Sequence, residues 1–336
     1  MILHPGILAL LVGSFVVTAM MCYSSALGLK ILRKWDINSS SPAQLALERK
    51  TYLISTIMNS VLGFEIFSSL LFVYTVEDMH RIFVGAMCAT GTLNANPVGW
   101  YVLYTKMVIF FASSIWIAFN YIDQRADDYP LVRKKYAMLM LITPVVALDA
   151  YLQLKYFLGL KPDIITSCCG SLFSEGGSGI ASSLSSLAVK PTMVLFYGSI
   201  TVFLLNLLAV IRLPHRMLRY LLPGTALLVF IASIAAVIAF LSPYFYEIPT
   251  HHCPFDILQS GYYFVGFPLY VSLFTGVFFG MMAGLIEPFN NVSSLRSTVL
   301  KLQRKWAILS IVLILLFTAI ASWPIVFSSF TLEGYY

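Results

Sequence analysis

Residues 221–244 read LLPGTALLVFIASIAAVIAFLSPY, 24 positions without a single Asp, Glu, Lys or Arg. As a helix rising roughly 1.5 Å per residue this stretch is about 36 Å long, enough to cross a hydrocarbon core of about 30 Å. Its backbone polar groups can be satisfied in lipid only by such a helix or by a closed barrel, and an uninterrupted apolar run is the helical signature. Seven similar stretches flank it, at 6–28, 52–76, 99–120, 137–160, 191–211, 262–286 and 306–327. The expected fold class is therefore all-α: a polytopic integral membrane helix bundle of about eight transmembrane helices. Composition agrees, since 59% of the 336 residues are hydrophobic and only 11% charged, against about 25% charged in soluble domains.

Charge then sets the expected sidedness. The connectors after spans one, three, five and seven carry 16 of the 21 basic residues, from Lys30, Arg33 and Lys34 to Arg304 and Lys305. The intervening connectors hold only Arg81, Lys161 and Lys190. By the positive-inside rule the basic connectors are cytoplasmic, so both termini fall on the non-cytoplasmic side. The expected location is a bacterial inner (plasma) membrane, multi-pass, with the lipid bilayer as first partner. The net charge of +6 is this bias summed, and no nucleic-acid partner is needed to explain it. The first apolar run has no basic residue before Lys30 and is longer than a signal-peptide core, so it reads as a retained span.

Two weakly similar halves are expected. Span two is followed by Glu77, His80 and Cys88, then by Gly99-Trp100-Tyr101. Span six is followed by Glu247, His251, His252 and Cys253, then by Gly261-Tyr262-Tyr263, about 162 positions on. That spacing suggests two four-helix halves, 1–160 and 191–336, joined by a Cys/Gly/Ser-rich outer loop at 161–190. Local signals add detail. Ser41-Pro42 reads as a cap and first-turn proline opening span two. Residues 293–305 read either as a short basic helix lying on the inner leaflet or as a solvated linker that satisfies topology. Gly276, Gly280 and Gly284 form a small-residue stripe suited to close helix contact.

Chemistry is expected first at the cysteines. Cys88, Cys168, Cys169 and Cys253 all fall in non-cytoplasmic connectors, where thiols can oxidise, bind metal or relay electrons. Three readings stay open: structural disulfides, thiol–disulfide redox chemistry, and metal ligation. Cys253-Pro254-Phe255-Asp256 begins like a thioredoxin-type Cys-Pro-x-Cys with aspartate in the last place, so a distant cysteine would have to resolve it. His80, His251 and His252 are the candidate metal donors, although no paired Cys-x-x-Cys or His-x-x-x-His spacing accompanies them. Haem b inside the bilayer is disfavoured, because none of the five histidines lies within a span. If electrons move, a quinone, a bound partner or the protein's own thiols carry them, and Tyr244, Tyr246, Tyr262, Tyr263 and Tyr270 could line a quinone pocket or form an aromatic belt at the interface.

Charge inside the spans is the second constellation. Glu65 and Asp149 sit near the middle of spans two and four, and Lys106 and Lys155 in the outer third of spans three and four. A charge at the bilayer centre costs at least about 2.5 kcal/mol, so such residues face the interior and pair; they either line a proton or substrate path or form a structural interhelical salt bridge with the lysines snorkelling outward. No phosphate loop, dinucleotide fingerprint or His-Glu-x-x-His accompanies them. Two functions follow as expectations. One is the membrane subunit of a redox or thiol-handling complex that meets other protein subunits, including a periplasmic partner. The other is a secondary transporter or permease whose cysteines staple its loops.

Overall fold

The computed structural model describes residues 3–37, 39–161, 165–166, 180–213 and 215–332. Its order is α1 (Pro5–Lys34), α2 (Pro42–Asp78), α3 (Ala89–Asn94), α4 (Gly99–Asp123), α5 (Val132–Leu158), α6 (Ile180–Ser185), α7 (Val189–Arg212), α8 (Arg216–Ala236), α9 (Ser242–Tyr246), α10 (Gly266–Leu285) and α11 (Arg296–Phe327), and no strand occurs among the described residues. Eight helical stretches are long and apolar enough to cross a membrane, so the chain is a multi-pass membrane protein of the expected all-α class. Large apolar side chains point outward along them, Phe15, Leu141, Val194 and Trp323 among others, as a lipid solvent requires.

Several helices overrun the expected spans. α2 starts at Pro42 because Ser41 accepts the amide hydrogen of Gln44 and proline occupies the first turn. Glu48, Arg49 and Lys50, read from sequence as connector, are thus helical. Residues 293–305 do not form a separate surface helix: from Arg296 onward they are the first turns of α11. Leu, Lys, Arg and Gln are strong helix formers, so nothing stops the helix at the edge of the apolar run.

Contacts divide the chain into two compact units. The first comprises Met1–Val84, Thr92–Ile164 and Val292–Thr298. In it α1 packs on α2 and α5, and α4 packs on the same two, which closes a four-helix ring. Val17 and Met21 of α1, Met58 and Leu62 of α2, Trp116 of α4 and Tyr136 of α5 fill its core. Trp116 and Tyr136 keep their polar tips bonded, to Lys135 O at 2.9 Å and Thr51 O at 3.2 Å.

The second unit comprises Gly85–Gly91, Ile165–Asn291 and Val299–Tyr336. Here α8 packs on α7 and α10, and Phe196 of α7 lies edge-on to Phe240 and to Phe317 of α11. The small-residue stripe of α10 does what its spacing suggests. A Cβ on Gly276 would meet Ile314 of α11 at 3.0 Å, and one on Gly284 would meet Pro223 Cδ of α8 at 2.4 Å. Ser310 Oγ uses the close approach to donate to Gly276 O at 2.7 Å.

The end of α8 departs from regular helix. Val237–Leu241 form a π-turn that runs into α9, and Pro243 occupies the first turn of α9. Proline has no amide hydrogen to give, and a π-turn leaves carbonyls short of donors. His252 supplies one, its Nδ1 lying 2.8 Å from Ile238 O. Glu247 then ends α9 in the left-handed region at φ 54.

Candidate functional site

The loop that follows α9 carries Cys253, and three anchors fix it. Tyr246 Oη donates to Cys253 O at 2.6 Å and accepts from Ile257 N at 3.0 Å. Tyr270 Oη donates to Pro254 O at 2.5 Å. The tyrosines expected to line a quinone pocket thus divide in role: Tyr246 and Tyr270 brace the Cys253 backbone, Tyr244 stacks edge-on with Phe330, and Tyr263 is almost fully exposed. Burial pushes the Tyr262 phenol up, with Asp256 and Cys253 adding to it, so the ring stays protonated beside Tyr246.

Cys88 reaches the same unit from the first half of the chain. Its segment turns at Gly85, whose φ of +85 disfavours any side chain and where a Cβ would lie 2.5 Å from Thr166 O. Gln259 Nε2 holds the segment by donating to Met87 O at 2.8 Å. The result brings Cys88 Sγ within 3.2 Å of Cys253 Sγ, with both residues wholly buried. This is outside the bonded distance of about 2.05 Å but inside ordinary sulfur van der Waals separation, so only a small movement separates dithiol from disulfide.

The groups around Cys253 are suited to proton handling. Its thiol lies 3.4 Å from Asp256 Oδ1, and it receives the Phe255 amide hydrogen at 3.5 Å. Thr90 Oγ1 stands 3.4 Å away on the other side. Asp256 in turn holds His251 Nε2 on its Oδ2 at 2.5 Å. Burial falls off along this row: Cys253 is fully buried, the Asp256 side chain is 10% exposed and His251 26%. A thiol proton therefore has a carboxylate to move to and an imidazole at the surface to leave by.

The expected metal donors occupy different settings. His80 belongs to the first unit, where Nδ1 closely approaches the backbone oxygen of Glu77 and lies 3.4 Å from its Oε1. His252 faces Ile238 O, and burial pushes its imidazole down into the neutral form. Only His251 stands near the thiols, and it does so through Asp256. Donor atoms of Cys88, Cys253 and Asp256 lie within 4.8 Å of one another, a set that includes two soft ligands. Asp256 is the member that sequence reasoning passed over, although it holds the fourth place of Cys-Pro-Phe-Asp. Cys168 and Cys169 lie outside the described residues.

The intramembrane charges of the first unit form a compact cluster. Lys106 Nζ of α4 lies 2.9 Å from Asp149 Oδ2 of α5 and 3.3 Å from Glu65 Oε2 of α2, all three almost fully buried. It also donates to Ser68 Oγ at 2.8 Å. Asp149 accepts further bonds from Thr105 Oγ1 at 2.7 Å and from Gln153 Nε2 at 2.5 Å. Lys155, expected with this set, is exposed on α5 and takes no part.

Two more buried ionic groups were not anticipated. In the first unit Lys135 Nζ pairs with Asp123 Oδ2 at 2.7 Å and donates to Asn120 Oδ1 at 2.8 Å. In the second, Glu287 Oε2 accepts from Arg219 Nη1 at 3.1 Å, Asn290 Nδ2 at 2.6 Å and Gln303 Nε2 at 2.8 Å. Lys135 and Arg219 count among the basic residues of the connectors, and the charge pattern assigns no role to Asp123 or Glu287. The signal available was the polar residue one turn away in each case, Asn120 before Asp123 and Asn290 after Glu287.

Compared with protein-family models, curated proteins and solved structures, the chain matches none.

Proposed function

We propose that this chain is the membrane subunit of a thiol-oxidising or thiol-reducing system, in which Cys88 and Cys253 cycle between dithiol and disulfide. The observation that carries the reading is the 3.2 Å sulfur pair with Asp256 and His251 lined up behind Cys253. Disulfide closure forms one S–S bond, breaks two S–H bonds and releases two electrons and two protons. A quinone dissolved in the bilayer accepts both electrons and both protons and becomes a quinol. The Cys253 proton passes to Asp256 and His251, and the Cys253 thiolate adds to a ring carbon of the quinone. The Cys88 thiolate then attacks the Cys253 sulfur, which breaks the S–C bond and releases the quinol, its two oxygens having taken up two protons in place of those lost by the thiols. Reopening uses two thiols of a partner protein, which leave as its disulfide.

Sidedness supports this reading. The clustering of 16 of 21 basic residues in alternate connectors supports an orientation with both termini, Cys88 and Cys253 on the non-cytoplasmic face, as in a bacterial inner membrane. Thiols there meet an oxidising compartment and a periplasmic partner. Cys168 and Cys169 are then the pair through which such a partner would exchange.

The test is mass mapping of the purified protein, reduced and then treated with a soluble short-chain quinone. The expected result is a Cys88–Cys253 disulfide with one quinol formed per chain, both lost in Cys253→Ser. Persistent thiols under those conditions, or a stoichiometric metal ion retained by the native protein and lost in Cys88→Ser and Cys253→Ser, overturn the reading.

A second reading, a secondary transporter, is favoured by the Glu65–Lys106–Asp149 cluster in mid-bundle. It predicts that substrate uptake by proteoliposomes survives replacement of both cysteines and stops in Asp149→Asn.

A further inference from the structure

We infer that the Glu65–Lys106–Asp149 cluster is a proton-binding site that holds one exchangeable proton on Glu65, beside an ionised Lys106–Asp149 pair. This goes beyond the dithiol reading and stands whether that reading holds or fails, because it concerns the first unit alone.

Charge count is the first step. Two carboxylates share one ammonium, and each of the three side chains is no more than 2% exposed. Fully ionised, the cluster would carry a net charge of −1 in a low-dielectric interior, and an uncompensated buried charge is relieved by taking up a cation. Among the described residues, the groups facing Glu65 supply no second positive charge. α4 presents Lys106, and α5 presents Asp149 through it. α1 carries no lysine, arginine or acid between His4 and Lys30. A metal cation would have to sit against the Lys106 ammonium, which already lies between the carboxylates. A proton needs no such room.

Hydrogen bonding decides which carboxylate carries it. Asp149 accepts on both oxygens: Thr105 on Oδ1, and Lys106 and Gln153 on Oδ2. Gln153 Nε2 is shared between Asp149 Oδ2 at 2.5 Å and Ser14 Oγ at 3.0 Å, so the amide presents its donor and not its oxygen to the carboxylate. The side-chain bonds to the Glu65 carboxyl, from Lys106 and Ser68, fall on Oε2, and the Lys106 contact is the longer of the lysine's two carboxylate contacts. Oε1 is thus the oxygen left to bear the proton.

Infrared difference spectroscopy of the full chain in lipid, between mildly acidic and strongly alkaline pH, tests this. The expected wild-type signal is one carboxylic-acid C=O band per chain that shifts in heavy water, present at neutral pH and lost on alkalinisation. Glu65→Gln should remove it entirely while leaving the fold intact, since Lys106 and Asp149 remain as a neutral pair. Lys106→Met should raise it to two bands per chain, because neither carboxylate then has a counter-charge. A wild-type spectrum without the band at neutral pH overturns the proposal whatever the variants do, and so does a band that survives in Glu65→Gln.

Discussion

Cys88 and Cys253 stand 165 positions apart in the chain, yet their sulfurs lie 3.2 Å apart with neither residue exposed. Closing that loop has an entropic cost that grows with its length, and the structure meets it with specific anchors. Gln259 bonds Met87, one residue from Cys88, while Tyr246 bonds Cys253 itself. Asp256, in contact with Cys253 and itself partly exposed, leads from the buried sulfurs toward the surface.

From that arrangement, Asp256→Asn should slow quinone-driven disulfide closure by roughly 10²-fold, in the range of a lost general base, without preventing it. His251→Asn should act in the same direction and more weakly, since Asp256 can still take the first proton. Stopped-flow measurement of quinol formation checks both. An unchanged rate in Asp256→Asn removes the proton relay from the mechanism.

His252 is a structural residue in this geometry, bonded to a carbonyl of the π-turn ahead of Pro243. His252→Leu fills the space but leaves that carbonyl buried and unpaired, which should cost about 1–3 kcal/mol. His252→Gln retains a donor and should recover part of it. Thermal unfolding in detergent measures the pair, and equal stability of both variants would contradict this role.

The α10 glycines give a contrast within one residue type. A Cβ on Gly284 would lie 2.4 Å from Pro223 Cδ and 2.5 Å from Arg219 O, both part of a rigid helix, so Gly284→Ala should destabilise by about 1–3 kcal/mol. Gly198 in α7 has nothing within 4 Å of such a Cβ, and Gly198→Ala should be neutral or stabilising by up to about 1 kcal/mol through helix propensity. Unfolding midpoints of the two variants decide it.

What the sequence made legible follows from the length scale of each signal. The eight spans are runs of 20 or more residues whose meaning the bilayer thickness fixes, so every one of them could be read, as could the Ser41-Pro42 start of α2. The π-turn before Pro243 and the short helix at Ala89–Asn94 depend on a few residues and on distant partners such as His252, so periodicity carries no trace of them. At the site, Cys88, Cys253, Glu65, Lys106 and Asp149 were identifiable by being the wrong chemistry for their surroundings. Asp123, Lys135 and Glu287 were not, because at the end of a span a charge looks solvated until a tertiary partner buries it.

Lys106 and Lys155 make that limit measurable. Both were read as lysines in the outer third of a span, and hydropathy alone treats them alike. The fold separates them: Lys106 is 1% exposed between Glu65 and Asp149, whereas Lys155 lies on the outward side of α5 and can extend its amine toward the membrane surface. Removing one partner of a buried ionic set leaves its counter-charges stranded, so Lys106→Met should destabilise by about 3–5 kcal/mol, less whatever protonation of the second carboxylate recovers. Lys155→Met strands nothing and should change stability by less than about 0.5 kcal/mol. Unfolding of both variants at neutral and at mildly acidic pH is the check. Acid should narrow the deficit of Lys106→Met, because the second proton its carboxylates take up on folding costs less as the pH falls toward the unfolded carboxylate range, and leave Lys155→Met unaffected; a deficit in Lys106→Met that acid deepens would mean the carboxylates are not what the lysine holds in place.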